Sequence, residues 1–230
     1  MSAQSLLQFV QAHAERPEAR APFTLESERI LEVNLQGSVW MKTGAMIAYV
    51  GNIRFEREGM FDQGLGNLFK KAMSGEGASL TRAQGEGRLY LADAGRRITV
   101  LSLAGESLFL NGNDLLALQE GLSRDITVMK KLGAMLSGGL FNVKVAGHGL
   151  VAFCTEGAPL VLPVRPGQPV FTDPQATVAW SGSLSPELHT DVSLKTFLGR
   201  GSGESVQMRF EGEGFVVVQP YEEQPAPAQG

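Results

Sequence analysis

The feature of this sequence that most constrains its fold is a Gly-x-Gly marker followed by an apolar stretch, which occurs three times. The copies begin at Gly85, Gly147 and Gly212, about sixty residues apart. A fixed period of this length is typical of a chain built from copies of one supersecondary unit. We therefore expect three units, which would cover about residues 23–93, 94–155 and 156–220.

A second marker precedes each Gly-x-Gly, at nearly constant distance. It is a short apolar strand containing Ala48, Ala117 or Ala179, and it follows a tight turn. The turns are Lys42-Thr43-Gly44, Asn111-Gly112-Asn113-Asp114 and Thr172-Asp173-Pro174. Glycine and asparagine accept positive φ and proline presets φ, so we expect each turn to close a hairpin.

The hydrophobic pattern between these markers predicts strands. Apolar residues alternate in 30–35 and 98–103, and the continuous apolar runs 160–162 and 215–218 indicate strands buried on both faces. The glycines would allow bulges or sharp bends where the sheet curls. We predict an all-β fold of three pseudo-symmetric repeats, forming one barrel-like or sandwich-like domain over residues 23–220.

The two ends of the chain lie outside this repeat. Leu6, Leu7 and Val10 have helical spacing, which predicts a short N-terminal helix and a connector within residues 1–22. Residues 221–230 are rich in Pro, Glu and Gln, a composition typical of a disordered tail.

Charge and cysteine content disfavour several classes of protein. The net charge is −4 and only 7% of residues are aromatic, so neither phosphate attraction nor base stacking favours nucleic acid as a partner. Cys154 is the only cysteine and lies in an apolar run, which indicates core packing rather than a disulfide. No stretch has the length of a membrane span, and Met1–Val10 lacks the pattern of an export signal. We expect a cytoplasmic protein.

A less regular segment interrupts each unit and combines cations with apolar side chains. Its members are Lys70, Lys71 and Phe69 in the first unit, Lys130, Lys131 and Met129 in the second, and Lys195, Arg200 and Phe197 in the third. If the units are related by symmetry, the three segments lie at one end of the molecule. Apolar groups flanked by cations suit an anionic membrane surface or the groove of a protein partner. The alternative is a packed lid with solvated lysines.

Glu86, His148 and Glu213 occupy the same Gly-x-Gly position in the three units. Two carboxylates and an imidazole that converged could bind a divalent metal or a small molecule, and such a site could belong to an enzyme. The alternative is that each residue sits at a bend and points to solvent. His13, His148 and His189 lack any nucleophile motif around them, and His189 reads as an exposed loop residue. We therefore expect no catalytic site, no cofactor and no resident metal.

Four stretches carry a family resemblance: Gly44-Ala45-Met46, Gly75-Glu76-Gly77, Phe171-Thr172-Asp173-Pro174 and residues 210–220. Over about residues 23–222 the chain resembles the altered-inheritance-of-mitochondria family. The resemblance implies a fold similar to the tryptophan RNA-binding attenuation protein, repeated within one chain. It also implies a link to membranes, since eukaryotic relatives are associated with organisation of the mitochondrial inner membrane. It brings no catalytic residues, and function belongs to sites rather than folds.

These observations favour a non-enzymatic scaffold or interaction protein. We expect it to form homo-oligomers and to dock to an unknown protein partner or an anionic membrane surface through the three basic segments.

Overall fold

A computed structural model describes residues 3–15, 21–57, 79–128, 141–190 and 206–222. It contains one helix, α1 (Leu6–Ala12), and fourteen strands. Grouped by the three units predicted from the sequence, the strands within the first are β1 (Phe23–Ser27), β2 (Ile30–Lys42), β3 (Met46–Arg57) and β4 (Leu80–Leu91). Those of the second are β5 (Arg97–Asn111), β6 (Leu115–Gln119), β7 (Ser123–Val128) and β8 (Phe141–Thr155). Those of the third are β9 (Leu160–Val164), β10 (Val170–Thr172), β11 (Thr177–Ser181), β12 (Glu187–Thr190), β13 (Val206–Phe210) and β14 (Gly214–Val218).

The strands form two antiparallel sheets. The larger has eleven strands in the order β3-β4-β2-β6-β8-β5-β11-β14-β9, with β1 added to β2 and β7 added to β8. The smaller has the order β10-β13-β12. The predicted all-β class and the short N-terminal helix are confirmed. The described strands make a sandwich-like arrangement of open sheets rather than a closed barrel.

The long strands fold back on themselves at their glycines. Residues 80 and 91 are the two ends of β4, yet both ends lie beside the turn at residues 43–45. The Thr43 amide donates to the carbonyl of Ser79 at 2.9 Å, and the Ala92 amide donates to the carbonyl of Ala45 at 2.9 Å. A straight strand of twelve residues would span about 40 Å, so β4 must bend sharply in its middle.

The bend occurs where glycines of neighbouring strands face one another. Gly85 and Gly87 have φ of +140° and +150°, a region that L-residues rarely adopt. A Cβ on Gly85 would lie 2.0 Å from the carbonyl oxygen of Asn52, and one on Gly87 would lie 2.1 Å from that of Val50. Only glycine allows β3 and β4 to approach this closely, so the predicted role of these glycines is confirmed.

The hairpin interpretation of the three turns is wrong. β2 and β3 flank the first turn, but both pair with β4 and not with each other. The same holds for β5 and β6, which both pair with β8, while β10 and β11 pair with β13 and β14. Turn chemistry sets the local φ of the chain, whereas the hydrogen-bond partner of a strand is set by the bent inner strand of its unit.

The bulge after each turn falls at the same place in all three units. The register shifts between Met46 and Ala48 in β3, between Leu115 and Ala117 in β6, and between Thr177 and Ala179 in β11. The extra residue is therefore Ile47, Leu116 or Val178. A bulge turns its residue out of the regular alternation, and in β6 and β11 that residue is completely buried.

Three groups of buried side chains form the core, here called the first, second and third cores. The first combines the first unit with residues of the second, namely Leu116 and Ala117 of β6 together with Ile98, Ala152 and Cys154. The second combines the second unit with Val178 and Ala179 of β11, and also contains Leu80 and Val217. The third, around Phe210, consists of third-unit residues with Phe109 packed against it. The strand after each turn thus lies between two cores in the second and third units.

Two finer expectations are wrong. β9 is not buried on both faces, since Leu160 and Val161 are 57% and 55% exposed; β9 is an edge strand that pairs only with β14 among the described residues. His189 lies in β12 opposite Gln207, not in a loop, although it is exposed. In the parts of the chain that the structure describes, no helix has the length and apolar character needed to span a bilayer.

Candidate interaction surface

The nine residues predicted to form the basic and apolar docking segments fall outside the described residues. They are Phe69, Lys70, Lys71, Met129, Lys130, Lys131, Lys195, Phe197 and Arg200. Their grouping at one end of the molecule stays a prediction. The proposed disordered tail beyond residue 222 also lies outside the described residues.

The structure does not bring Glu86, His148 and Glu213 together. Each is exposed on its own bend: Glu86 lies between Gln36 and Asn52, and His148 lies opposite Ala104. The described residues contain no group of three His, Cys, Asp or Glu side chains that could hold a metal ion. The metal-binding alternative therefore receives no support.

Local partners explain these exposed positions. His148 lies near Glu106, whose pKa is lowered, first by the hydrogen bond that its carboxylate accepts from the Ala104 amide, then by a hydrogen bond from its own amide, with a smaller contribution from His148. The carbonyl of Glu213 accepts a hydrogen bond from the Ser183 hydroxyl at 3.0 Å. These contacts stabilise the bends themselves.

The most unusual surface is the first part of β3, Met46–Val50, which we call the β3 strip. Met46, Ile47, Tyr49 and Val50 are 37%, 53%, 46% and 53% exposed, and Ala48 is exposed as well. The corresponding strands β6 and β11 are buried at four of their five residues. Five successive residues with apolar side chains, exposed on both faces of an edge strand, form a contiguous apolar surface of the kind that marks interaction sites.

Local sequence accounts for the shape of the strip. The turn at Gly44 has φ of +86° and starts β3 beside the end of β4. The bulge at Ile47 then turns this side chain outward. The equivalent bulges turn Leu116 and Val178 in the same way, and those two side chains pack into neighbouring cores. Ile47 has the same geometry but meets solvent. Its exposure therefore reflects a missing neighbour and not a different local structure.

A second free edge belongs to the smaller sheet. Among the described residues β10 pairs only with β13, so one side of Val170–Thr172 has no strand beside it. Phe171 at its centre is 44% exposed, and the only ring beside it in the described structure is that of His189, at 5.3 Å between centroids. Thr172 is buried and shares a hydrogen bond of 2.7 Å with the Thr177 hydroxyl, which fixes the turn that follows.

Phe171 occupies a position that sequence reasoning missed. Trp40 in β2, Phe109 in β5 and Phe171 in β10 lie opposite the cations Arg82, Lys144 and Arg209. The Arg82 guanidinium lies 5.9 Å from the Trp40 ring and the Lys144 ammonium 5.5 Å from the Phe109 ring, both within range of a cation–π contact. The signal was available in the sequence, because Trp40, Phe109 and Phe171 each lie eight residues before the alanine of the second marker.

Helix α1 and the residues that follow it up to Glu15 form an N-terminal arm, here called the helical arm. Ser5 caps α1, since its hydroxyl accepts from the Gln8 amide at 3.2 Å and its own amide donates to the Gln8 side chain at 2.9 Å. All of α1 is exposed, including Leu6 at 80% and Phe9 at 52%. A short helix with no buried face gains little stability from packing, so its apolar side chains are available to a partner.

Glu15 attaches the arm to β4. Its carboxylate accepts a hydrogen bond from the Tyr90 hydroxyl at 2.8 Å and lies 2.7 Å from the Arg88 guanidinium. Burial and the hydrogen bond to Glu15 raise the pKa of Tyr90 to about 12. The strand partners of Tyr90 and Arg88 in β3 are Ala48 and Val50, so the arm is fixed beside the β3 strip.

The buried polar groups form an internal ion-pair network at the corner between the first two units. Arg96 donates to Asp114 at 2.6 Å and to the Asn113 carbonyl at 2.9 Å, and it also pairs with Asp93. Lys42 donates to Asp93 at 2.8 Å. Because these charges neutralise one another, the network holds the turns in place and offers no free acid or base.

Cys154 lies beside this network and is fully buried, as the sequence predicts. Burial raises the pKa of its thiol to about 12, so the reactive thiolate is absent near neutral pH. A cavity of about 240 Å³ lies elsewhere, along β2, and polar groups line part of its wall. Its lining residues are Pro22, Phe23, Val33, Asn34, Leu35, Gln36, Ser38, Val39 and Gln119.

The chain matches the model of a known protein family over most of its length. The family model described as "Mitochondrial biogenesis AIM24" matches residues 23–221, which is most of the chain. The chain belongs to the AIM24 family. This confirms the resemblance seen in the glycine and turn motifs.

Two relatives from Streptococcus pyogenes are similar to this AIM24-family chain. Uncharacterized protein M6_Spy0233 of serotype M6 is 27% identical over 216 residues, which cover 87% of this chain and 86% of the relative. The crystal structure of protein SPYM3_0169 has 24% sequence identity and a TM-score of 0.67, and the match covers 87% of this chain and 92% of that one. The latter likeness concerns the fold alone.

Proposed function

We propose that this AIM24-family protein is a non-enzymatic interaction scaffold, built from three repeats with a fold similar to the tryptophan RNA-binding attenuation protein, and that it binds a protein partner through the β3 strip. The observation that carries the proposal is the exposure of Met46–Val50, when the corresponding strands of the other two units are buried. The strip combines a free strand edge with apolar side chains, and both features favour a bound strand.

Strand addition is the binding mode that suits this surface. A partner strand beside β3 would pair with main-chain groups that have no strand next to them in the described structure, and alternate side chains would give specificity. Exposed edges without charge or proline associate readily, and Met46–Val50 contains neither. The exposed helix α1, fixed nearby through Glu15, offers further apolar surface.

The polar groups support a non-enzymatic role. Cys154 is buried with a raised pKa, and Arg96 is held in internal ion pairs with Asp93 and Asp114. A nucleophile or general base needs access to substrate and a matched pKa, which none of these groups offers. The free thiol of Cys154 is compatible with the cytoplasm as location.

Site-specific photocrosslinking in cells tests the proposal. A photoreactive phenylalanine derivative replaces Tyr49 in the strip or, as a matched control, the equally exposed Tyr221 near the end of the described chain. We expect discrete adducts from position 49 and none from position 221, with the adduct identified by mass spectrometry. Position 49 giving no adduct, or the same adducts as position 221, would refute a role for the strip.

A further inference from the structure

We propose that the partner of the β3 strip is a second copy of this chain, and that Ala48–Val50 of one copy pairs antiparallel with Val170–Thr172 of the other. This inference rests on the proposed function, because it names the partner of the same strip. It takes its geometry from two junctions that already exist inside the chain.

The internal junctions follow one rule. At each, the strand after the turn of one unit pairs with the strand before the turn of the preceding unit: β6 with β2, and β11 with β5. Among the described residues, two strands lack such a neighbour: β3, which pairs only with β4, and β10, which pairs only with β13. The two free edges are therefore the two halves of a third junction of the same kind.

The register of this third junction follows from the first two. Trp40 pairs with Leu118 at the centre of the first, and Phe109 pairs with Trp180 at the centre of the second. Leu118 and Trp180 each follow the alanine of the second marker, as Tyr49 follows Ala48. Phe171 corresponds to Trp40 and Phe109 through its cationic partner Arg209. Tyr49 should therefore lie opposite Phe171, with Ala48 opposite Thr172 and Val50 opposite Val170.

The chemistry of the two edges is complementary. Tyr49 and Phe171 are 46% and 44% exposed, whereas Trp180 in the equivalent internal pair is 2% exposed and stacks on Phe109 at 5.3 Å. Cross-strand aromatic pairs stabilise a sheet beyond the area that they bury. An aromatic pair of the same kind can form between two copies.

The third core lacks the kind of residues that this junction would supply. The first core receives Leu116 and Ala117 from the following unit, and the second receives Val178 and Ala179. The third core contains no residue of the first unit. Ile47 and Ala48 of a second copy stand at the positions that would fill it, and the outward turn of the Ile47 bulge provides the side chain.

The two edges differ in sequence and in place, so the contact is heterologous. β3 ends one sheet and β10 ends the other, and both stay exposed in a single chain. Each copy that uses its β3 edge keeps a free β10 edge. Such contacts build rings or head-to-tail chains rather than two-fold dimers.

Mass measurements on charged variants give the first test. We expect the native protein to exceed the 24.7 kDa of one chain in light scattering after gel filtration, while Tyr49→Lys and Phe171→Lys are monomers. Mixing these two monomers should give a complex of two chains, since one retains the β10 edge and the other the β3 edge. Leu160→Lys, at an exposed position of the unrelated edge strand β9, should behave as the native protein.

Cysteine crosslinking fixes the register and separates contacts between copies from closure within a chain. Cβ atoms directly opposite each other in a sheet are close enough for a disulfide. Under mild oxidation, Tyr49→Cys mixed with Phe171→Cys should yield a mixed disulfide between two chains, and the double variant should yield multimers. Native Cys154 is buried and serves as an internal control that stays reduced.

Several outcomes would overturn the inference. A monomeric native protein whose double-cysteine variant closes a disulfide within one chain would show that the two edges meet inside one molecule. A native oligomer that survives both lysine substitutions would place the contact elsewhere. A photoadduct of position 49 with a different protein, with no adduct between copies, would preserve the proposed function but remove the second copy as the partner.

Discussion

Replacing Gly85 by alanine tests whether the bend of β4 depends on glycine because of the space at the bend or only because of backbone conformation. Gly85 lies directly opposite Gly37 in the register of β2 and β4. Both have positive φ, +140° for Gly85 and +108° for Gly37. A Cβ on Gly37 would meet no atom within 4 Å, whereas a Cβ on Gly85 would lie 2.0 Å from the Asn52 carbonyl oxygen. The two glycines therefore form a matched pair.

The expected loss in free energy of unfolding has two parts, the strain of positive φ and the steric overlap of the added Cβ. Holding an alanine at positive φ costs about 1–3 kcal/mol, and both substitutions incur that strain. Only Gly85→Ala also forces β3 away from β4, since the obstructing atom belongs to the backbone; overpacking of this kind costs roughly 1–3 kcal/mol more. We expect Gly37→Ala to be moderately destabilising and Gly85→Ala to lose a large part of a free energy of unfolding of about 5–15 kcal/mol.

Urea unfolding followed by tryptophan fluorescence measures both variants, because Trp40 and Trp180 lie in different units. With a urea dependence of about 1–3 kcal/mol per molar, the two midpoints should differ by roughly 1 M, with Gly85→Ala the lower. Equal midpoints would refute the steric argument and leave backbone strain alone as the reason for glycine. A Gly37→Ala midpoint below that of Gly85→Ala would contradict the assigned close approach.

Three further predictions concern the buried network and Cys154, which lies beside it. Arg96→Met breaks the pair with Asp114 and should lower the free energy of unfolding by about 3–5 kcal/mol; in a urea-unfolding cycle with Asp114→Asn, losses that simply add would contradict the coupling. Burial opposes ionisation of Asp93, but hydrogen bonds from Lys42 and Arg96 outweigh it and lower the pKa of Asp93. The stability that Asp93 contributes is therefore complete above its unfolded pKa of about 3.9 and is lost as pH falls through the lower folded pKa. The urea midpoints of native protein and Asp93→Asn should therefore converge at acid pH. A difference between the two midpoints that stays constant with pH would argue against this. Burial raises the pKa of Cys154 to about 12, so a maleimide at pH 8 should label the thiol only at the rate of unfolding; rapid labelling of folded protein would refute its burial.

Sequence reasoning predicted the features that depend on local chemistry. The Gly-x-Gly positions at Gly85 and Gly147 do lie at bends with positive φ, a conformation that L-residues rarely adopt. At Gly85 a Cβ would also lie 2.0 Å from the Asn52 carbonyl oxygen. The buried strand around Cys154 is present for a similarly local reason, its continuous apolar run. The N-terminal helix is also present, but Leu6, Leu7 and Val10, whose spacing predicted it, are all exposed, and the capping box of Ser5 and Gln8 is what favours it.

The pairing of the strands could not be predicted in this way. The turns at Gly44 and Asn111 have hairpin chemistry, yet the strands beside them pair with β4 and β8. Which strands share hydrogen bonds depends on how the inner strand of each unit bends, and that bend is a long-range property. Sequence alone also placed Glu86, His148 and Glu213 at equivalent positions without showing that each faces solvent on its own bend.

The β3 strip illustrates why position in the chain can outweigh sequence. Met46–Val50 is as apolar as Leu115–Gln119 and carries the same bulge, yet one strand is exposed and the other buried. In the second and third units the strand after the turn lies beside a strand of the preceding unit, whereas in the described structure β3 pairs only with β4. Two edges of the larger sheet are protected, by Pro163 in β9, which lacks an amide hydrogen, and by β1 beside the first half of β2. An unprotected apolar edge that retains the geometry of a buried junction is better explained as an interface than as a defect.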